Sequence, residues 1–389
     1  MTAHLLKTVL VLALVHSWPP LLGQQPEAVS EISDLLETPL EKEVESAVAT
    51  FQQQHKVPGL SVAIHQKGKL VFDRGFGLSD LENQVATTPK TVYRTASIAK
   101  PLTAIAVLQL VEQGKIDLDQ PISAYCPEFP DIKTPPTIRQ LLCHQGGIRH
   151  YKNAREPSGT RYFPTLADSL NLFINDPLLA PPGTRFIYTT YGYSLLGRAV
   201  ETVSGKPFDV YLQTNVFDRA NMKSAGLDNV YQVIPHRTRG YAKLSEQQHG
   251  QLPTVVRDQL KPGDIINCSL HDTSMKIPGG GLICSASDLT HLGDAMLKDQ
   301  LLKRSTRNTA WTKQTTTDGK ATSYGLGWVV GGDTRLPSRV SHSGGQAGTA
   351  TYLMIAPKQE TIIAVMANLQ GAPCGKLAMD LQRIVKNLE

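Results

Sequence analysis

A serine and a lysine three residues apart stand where the chain passes from polar to apolar sequence. Thr95-Ala96-Ser97-Ile98-Ala99-Lys100 opens a stretch, residues 101–110, in which Leu102, Ile105, Ala106, Leu108 and Leu110 keep a helical face almost wholly apolar, until Gly114 ends it. Residues three apart share a helical face, so the Ser97 hydroxyl and the Lys100 amine can come within hydrogen-bond reach. Burial disfavours the ammonium form, and a lysine held against apolar neighbours can take a proton from serine. A helix start adds free N–H groups and a positive dipole end beside a forming oxyanion. Nucleophilic acyl transfer is the chemistry this offers. The plain structural reading is a helix-start serine beside a surface lysine, since such a quartet arises by chance about once in a chain of this size.

Two further stretches set polar groups in apolar surroundings. Phe186-Ile187-Tyr188-Thr189-Thr190-Tyr191-Gly192-Tyr193 places Tyr188 after a Pro-Gly turn and before a helix. Ser341-His342-Ser343-Gly344-Gly345 precedes a strand, and its glycines let a backbone N–H approach a ligand closely. Seen singly, Tyr188 reads as a packed aromatic and His342 as a loop residue. His144, just before Gly146-Gly147, reads as a structural histidine at a helix end.

The elements that must position these groups follow from periodicity. Residues 40–56, with Val44, Ala47, Val48 and Phe51, suit an amphipathic helix that Pro58-Gly59 breaks. Strands are expected at 60–65 and 69–75, joined through Gln66-Lys67-Gly68. A short helix follows at 137–143, then a polar, irregular surface loop at 151–165 and helices at 165–175 and 193–203. Residues 229–275 show few periodic signals. Ser287-Asp288 suits the cap of a helix running through Leu297. Strands are expected again at 324–330, 348–356 and 361–367, before a helix at 377–388. Strands at both ends with helices between imply a sheet closed by the two termini.

The chain of 389 residues, 41% hydrophobic and 19% charged, can bury a large core. A net charge of +5 without a Lys/Arg cluster disfavours nucleic acid as a partner. The apolar run at residues 5–15, followed by Leu21-Leu22-Gly23, reads as a signal peptide over 1–23 leading into a polar linker at 24–39. An N-terminal membrane anchor is the alternative. The first arginine is Arg74, which disfavours a mitochondrial transit peptide. The expected location is therefore periplasmic or extracellular, without membrane insertion after cleavage. The five cysteines fit neither a zinc motif nor a disulfide framework and read as buried thiols.

Ser97-x-x-Lys100, Tyr188-x-Thr190 and His342-Ser343-Gly344 together resemble, in order and spacing, the serine β-lactamase and penicillin-binding-protein family. Supporting stretches are Gly114-Lys115-Ile116-Asp117-Leu118-Asp119, Leu141-Leu142-Cys143-His144-Gln145-Gly146-Gly147, residues 278–283 and Tyr324-Gly325-Leu326-Gly327-Trp328. The resemblance covers about residues 40–368. Within the family the chain looks most like the class C and esterase branch. Ile148-Arg149-His150-Tyr151 and Asn175-Asp176-Pro177-Leu178 are similar to the serine β-lactamase-like proteases of mitochondria, while the N-terminus points to an exported bacterial relative.

The resemblance implies an α/β (α+β) fold: an antiparallel sheet flanked by helices, built from about 40–95 and 276–389, with a mainly helical subdomain inserted at about 96–275. The site would lie in the cleft between them. Ser97 would be the nucleophile, Lys100 its base, and Tyr188 the group that carries the proton to the leaving atom. His342 would tune Tyr188 electrostatically, and the N–H groups of Ser97 and Gly345 would form the oxyanion hole. Ser343, Gly344 and Thr190 would contact substrate. No metal or cofactor is implied, and the expected partner is a small-molecule or peptide substrate.

Three departures from the family pattern bear on substrate. Thr190 stands in place of an asparagine, His342 in place of a lysine, and Gly146-Gly147 in place of Ser-Gly. The first two disfavour β-lactam hydrolysis and favour a peptidase or esterase. A true β-lactamase, a D-alanyl-D-alanine carboxypeptidase and a non-catalytic penicillin or peptidoglycan sensor are the alternatives. Neither H-E-x-x-H nor G-x-S-x-G occurs, which disfavours a metallohydrolase or an α/β-hydrolase.

Overall fold

The structure, a computed structural model, describes residues 38–153, 155–332 and 337–388. The expected signal peptide and nearly all of the expected linker lie outside them. Thr38 and Pro39 belong not to the linker but to helix α1 (Pro39–His55): the Thr38 hydroxyl accepts from the Glu41 N–H while the Glu41 carboxylate accepts from the Thr38 N–H. That reciprocal cap satisfies donors a helix start otherwise leaves open.

The main sheet has seven antiparallel strands in the order β3-β2-β1-β12-β11-β10-β9. Strands β1 (Gly59–Gln66), β2 (Lys69–Asp80) and β3 (Val85–Ala86) come from one end of the chain. Strands β9 (Val329–Gly332), β10 (Pro337–Gln346), β11 (Thr349–Ala356) and β12 (Thr361–Ala367) come from the other. The ends meet where β1 pairs β12, Leu60 opposite Ala367 and Gln66 opposite Thr361. Between them lie β4 (Tyr93–Arg94), β5 (Gly226–Leu227) and β8 (Leu282–Cys284), which form a three-stranded sheet, and β6 (Tyr241–Lys243) and β7 (Ile265–Asn267), which pair. The weakly periodic stretch 229–275 thus contributes strands to a region expected to be helical; at three residues each they are too short for periodicity to show.

Strand alternation divides the core in two. Along β12, Ile363, Val365 and Ala367 pack with Val44, Val48 and Phe51 of α1 and with Leu377 and Leu381 of the C-terminal helix Cys374–Asn387. Ile362, Ala364 and Met366 face the other side, with Leu289, Leu292 and Met296 of helix Ala286–Leu297. The N-cap of that helix is Ser285, not Ser287, with Asp288 completing the reciprocal cap.

Helix α2 (Ala99–Glu112) lies in the second core and is buried on every side from Ala99 to Leu110. The single apolar face read from the sequence understates this, because polar Lys100, Thr103 and Gln109 are buried too and spend their polar atoms on distant segments. A helix buried all round needs such partners.

Candidate active site

Ser97 sits in a 3₁₀ turn, Ala96–Ile98, that runs straight into α2. Ala96 has a left-handed φ of 47°, a conformation that costs a non-glycine residue energy and needs support from its surroundings. Neighbouring segments supply it. The Thr95 N–H donates to the Leu282 carbonyl at 2.9 Å, and the Thr351 hydroxyl donates to the Thr95 carbonyl at 3.0 Å. A Cβ on Gly344 would overlap both the Thr95 carbonyl and the Thr351 hydroxyl. Glycine at 344 therefore lets β10 press against the nucleophile turn, and the close approach is to the protein's own backbone.

Lys100 Nζ lies 3.1 Å from Ser97 Oγ, 3.3 Å from Thr190 Oγ1 and 2.7 Å from the Gly279 carbonyl oxygen. The lysine is fully buried. Burial, and then the charge of Lys276, hold its amine well below the usual lysine range. No carboxylate of a described residue pairs with it. The Tyr188 ring centroid is 4.9 Å from Nζ. Burial pushes the Tyr188 phenol up to about 12, against a pull from the Ser97 hydroxyl, so it stays protonated and can donate.

His342 differs from its expected part. It lies on β10 and not in a loop before a strand, opposite Leu353 of β11. Its Nδ1 is 2.6 Å from the Ser343 carbonyl, which can only accept, so Nδ1 carries the proton. Nε2 then accepts from the Tyr324 hydroxyl at 2.8 Å. Both ring nitrogens are thereby engaged, and neither bonds Tyr188. Burial, with the Lys100 charge adding to it, lowers the imidazole to about 3, leaving it neutral across the physiological range. A pH-dependent field on Tyr188 from His342 is therefore not what this geometry provides.

The cleft at Ser97 has a volume of about 760 Å³, and Tyr188, Thr190, Gly279, Gly280 and Gly345 share its lining. Strand β9 pairs β10 only as far as Ser341, which leaves the stretch from His342 to Gln346 without a strand partner on that edge. Ser343 is exposed and, like Gly344 and His342, is not among the lining residues. Gly344 is spent on the close approach to Thr95, while substrate contact by the exposed Ser343 remains a proposal.

Several residues at the site were passed over by the sequence reading. His144, read as a helix-end histidine, is fully buried with a φ of 61°, and its ring centroid lies 4.4 Å from that of Tyr188. Its Nδ1 accepts from the Thr189 N–H at 3.2 Å. It backs Tyr188 from inside the protein. The stretch 151–165 is not a plain surface loop. Arg149 bonds Glu156 at 3.0 and 3.1 Å and Asp176 at 2.5 Å, so Tyr151, Pro157 and Ser158 become a wall of the cleft. Tyr324 and the Gly279 carbonyl lie inside stretches quoted for the resemblance, but only the tertiary structure shows what they bond. The five cysteines form no disulfide; four are buried, and Cys268 lines the cleft.

A model of the β-lactamase family, described as "Beta-lactamase", matches residues 44–385. The chain belongs to that family. The match reaches further toward the C-terminus than the motifs do, taking in most of the last helix. Human serine beta-lactamase-like protein LACTB, mitochondrial, is 28% identical over 430 aligned residues, covering 83% of this chain and 76% of that protein. The structure of a penicillin binding protein from Bacillus halodurans superposes with a TM-score of 0.71 at 26% identity, covering 88% of this chain and 98% of that one. D-amino acid amidase from Ochrobactrum anthropi SV3 shares the fold, with a TM-score of 0.74 at 19% identity, over 90% and 99% of the two chains. Among the described residues no helix is long and apolar enough to cross a membrane.

Proposed function

We propose that this β-lactamase-family protein is a serine hydrolase that cleaves an ester or amide through an acyl-enzyme on Ser97. The observation that carries the reading is Lys100: a buried amine 3.1 Å from the Ser97 hydroxyl, bonded to two hydroxyls and a carbonyl. A neutral amine has two N–H groups, which suit Gly279 and Thr190, and one lone pair, which suits the Ser97 proton. Ser97 Oγ bonds to the substrate carbonyl carbon as its proton passes to Lys100. The oxyanion is met by the N–H groups of Ser97 and Gly345. Tyr188 gives its proton to the leaving oxygen or nitrogen as that bond breaks and recovers one from Lys100. Water then repeats the sequence on the acyl-enzyme, releasing the acid.

Esters and peptide-like amides suit the site better than β-lactams. The Thr190 hydroxyl is already bonded to Lys100, and His342 is buried, neutral and outside the cleft lining. The amidase fold neighbour agrees with this direction. Export through a signal at residues 1–23 is part of the proposal, and N-terminal sequencing of protein recovered outside the cytosol tests it. The central test is labelling of Ser97 by a fluorophosphonate, with kcat/KM measured for a nitrophenyl ester, a peptide anilide and a chromogenic cephalosporin. Turnover of the ester or anilide ahead of the cephalosporin is expected. A fastest cephalosporin would make the protein a lactamase, and a burst of one equivalent without turnover would make it a sensor.

A further inference from the structure

Lys276 is a second buried lysine at the cleft, and nothing described above uses it. Only 3% of the residue is exposed, yet it lines the same cavity as Ser97. Its amine makes no hydrogen bond or ion pair with any described residue; the centroid of the Tyr151 ring lies 5.7 Å from Nζ. A buried ammonium without a counter-ion is costly, so its charge is normally met by something. The cleft itself supplies nothing. Among the described residues its lining contains no aspartate or glutamate, and Lys276 is the one lysine or arginine.

The charges behind the wall do not cancel it either. Asp228 is shared by Arg94 at 2.7 Å and Arg237 at 2.8 Å, and Asp272 is engaged by the Ser274 N–H at 2.8 Å and the Ser274 hydroxyl. Three cations therefore face two carboxylates that are already occupied. The two imidazoles of the lining register the same positive surroundings. Burial and nearby cations, Lys276 among them, lower both His150 and His271 to about 4. The lysine stem also passes close to the nucleophile. A Cβ on Gly280 would lie 3.7 Å from Lys276 Cδ and 3.8 Å from the Ala96 carbonyl, so the two flank one glycine.

We propose that Lys276 is a specificity-determining residue that pairs with a carboxylate of the substrate, beside the bond that Ser97 attacks. The class of substrate is then an ester or amide bearing a negative charge close to its reacting carbonyl. This inference rests on the serine-hydrolase reading for the position of the reacting bond, but the anion site itself stands on the cavity. Burial and the Arg94 charge lower the Lys276 amine to about 8, with Asp228 opposing, which leaves it mostly cationic at neutral pH.

Two matched pairs of esters test the proposal. 4-Nitrophenyl hydrogen glutarate against 4-nitrophenyl pentanoate places the carboxylate on the acyl side. Acetylated 3-hydroxybenzoate against phenyl acetate places it on the leaving side. In at least one pair the wild type should favour the anion in kcat/KM. Lys276→Met should cut the anionic-to-neutral ratio about ten- to a hundredfold, and Lys276→Arg should restore much of it. The ratio is the readout because Lys276 also acts on Lys100, so absolute rates can move for both members of a pair. No anionic preference in either pair for the wild type, or a ratio unchanged by Lys276→Met, overturns the proposal. An arm independent of catalysis uses calorimetry of glutaranilic acid and valeranilide with Ser97→Ala and with Ser97→Ala/Lys276→Met. The acid should bind the single variant about tenfold or more tightly than the double, with valeranilide unable to tell them apart. Equal binding of the acid to both sinks the anion site, whereas retained ester hydrolysis in Ser97→Ala sinks the Ser97 reading alone.

Discussion

Lys100 and Arg149 are both buried basic side chains flanking one cleft, and the protein surrounds them in opposite ways. Arg149 is given the carboxylates of Glu156 and Asp176 together with the carbonyls of His150 and Leu172. Lys100 is given two hydroxyls and one carbonyl. Burial pulls both pKa values down. At Arg149 the hydrogen bonds and charges of Glu156 and Asp176 outweigh that pull and hold the guanidinium above its usual value. At Lys100 nothing opposes it, and the Lys276 charge adds to it. The first arrangement makes a clamp behind the wall of Tyr151, Pro157 and Ser158; the second leaves an amine suited to the proposed role of base. Withholding a carboxylate from a buried basic group favours a neutral amine, and supplying two favours a fixed charge.

The hardest test of that contrast is at the nucleophile. Ser97→Ala should lower ester hydrolysis by about 10⁴ or more and abolish fluorophosphonate labelling, with thermal unfolding little changed. Residual labelling at near-normal rate would point to a different nucleophile and dissolve the contrast.

Next comes Lys100→Met, with an expected rate loss of about 10² to 10⁴. Its effect on stability should have the opposite sign. Unfolded lysine titrates near about 10.4, so between the lowered folded value and that point the unfolded chain binds more protons, and stability rises with pH. At neutral pH the buried Lys100 therefore costs stability, and its replacement by an apolar side chain should raise Tm. A Lys100→Met protein less stable than wild type at pH 7 would mean the amine is held as a paired cation.

Arg149→Met should do the reverse. Leaving Glu156 and Asp176 without their partner in a partly buried setting should cost about 2–3 kcal/mol, with activity falling only as the cleft wall loosens. Unchanged urea midpoints would remove the clamp from the comparison.

The smallest effect concerns pH. His342 at about 3 and His150 at about 4 are neutral above pH 5, so the acid limb of kcat/KM should follow deprotonation of Lys100, the rate rising with pH. His342→Gln should leave the position of that limb unmoved. A limb near pH 6.5 that vanishes in His342→Gln would mean that His342 titrates and acts on the reaction.

The parts of the fold and site that were legible in the sequence are those with short-range causes. The α1 stripe of Val44, Val48 and Phe51 and the buried runs of β11 and β12 follow from local spacing. The reach of Ser97 to Lys100 is of the same kind. Tyr188 and His342 became visible only through resemblance, because nothing local distinguishes a reactive tyrosine from a packed one. Strand β10 was missed because Ser341 to Gly345 carries neither alternation nor β-branched residues, and its pairing with β11 decides its state.

By itself, then, the sequence determined that Ser97 and Lys100 lie side by side, through a three-residue spacing that any helix start converts into proximity. Tertiary structure alone decided what that lysine is. Its carbonyl partner, Gly279, is 179 residues away, and its second hydroxyl partner, Thr190, is 90 residues away. The same holds for His342, turned toward Tyr324, and for Lys276, left facing an open cleft. A protonation equilibrium sums desolvation and charge over every segment packed around a group. Those segments are brought together only by the closed sheet and the cleft it frames.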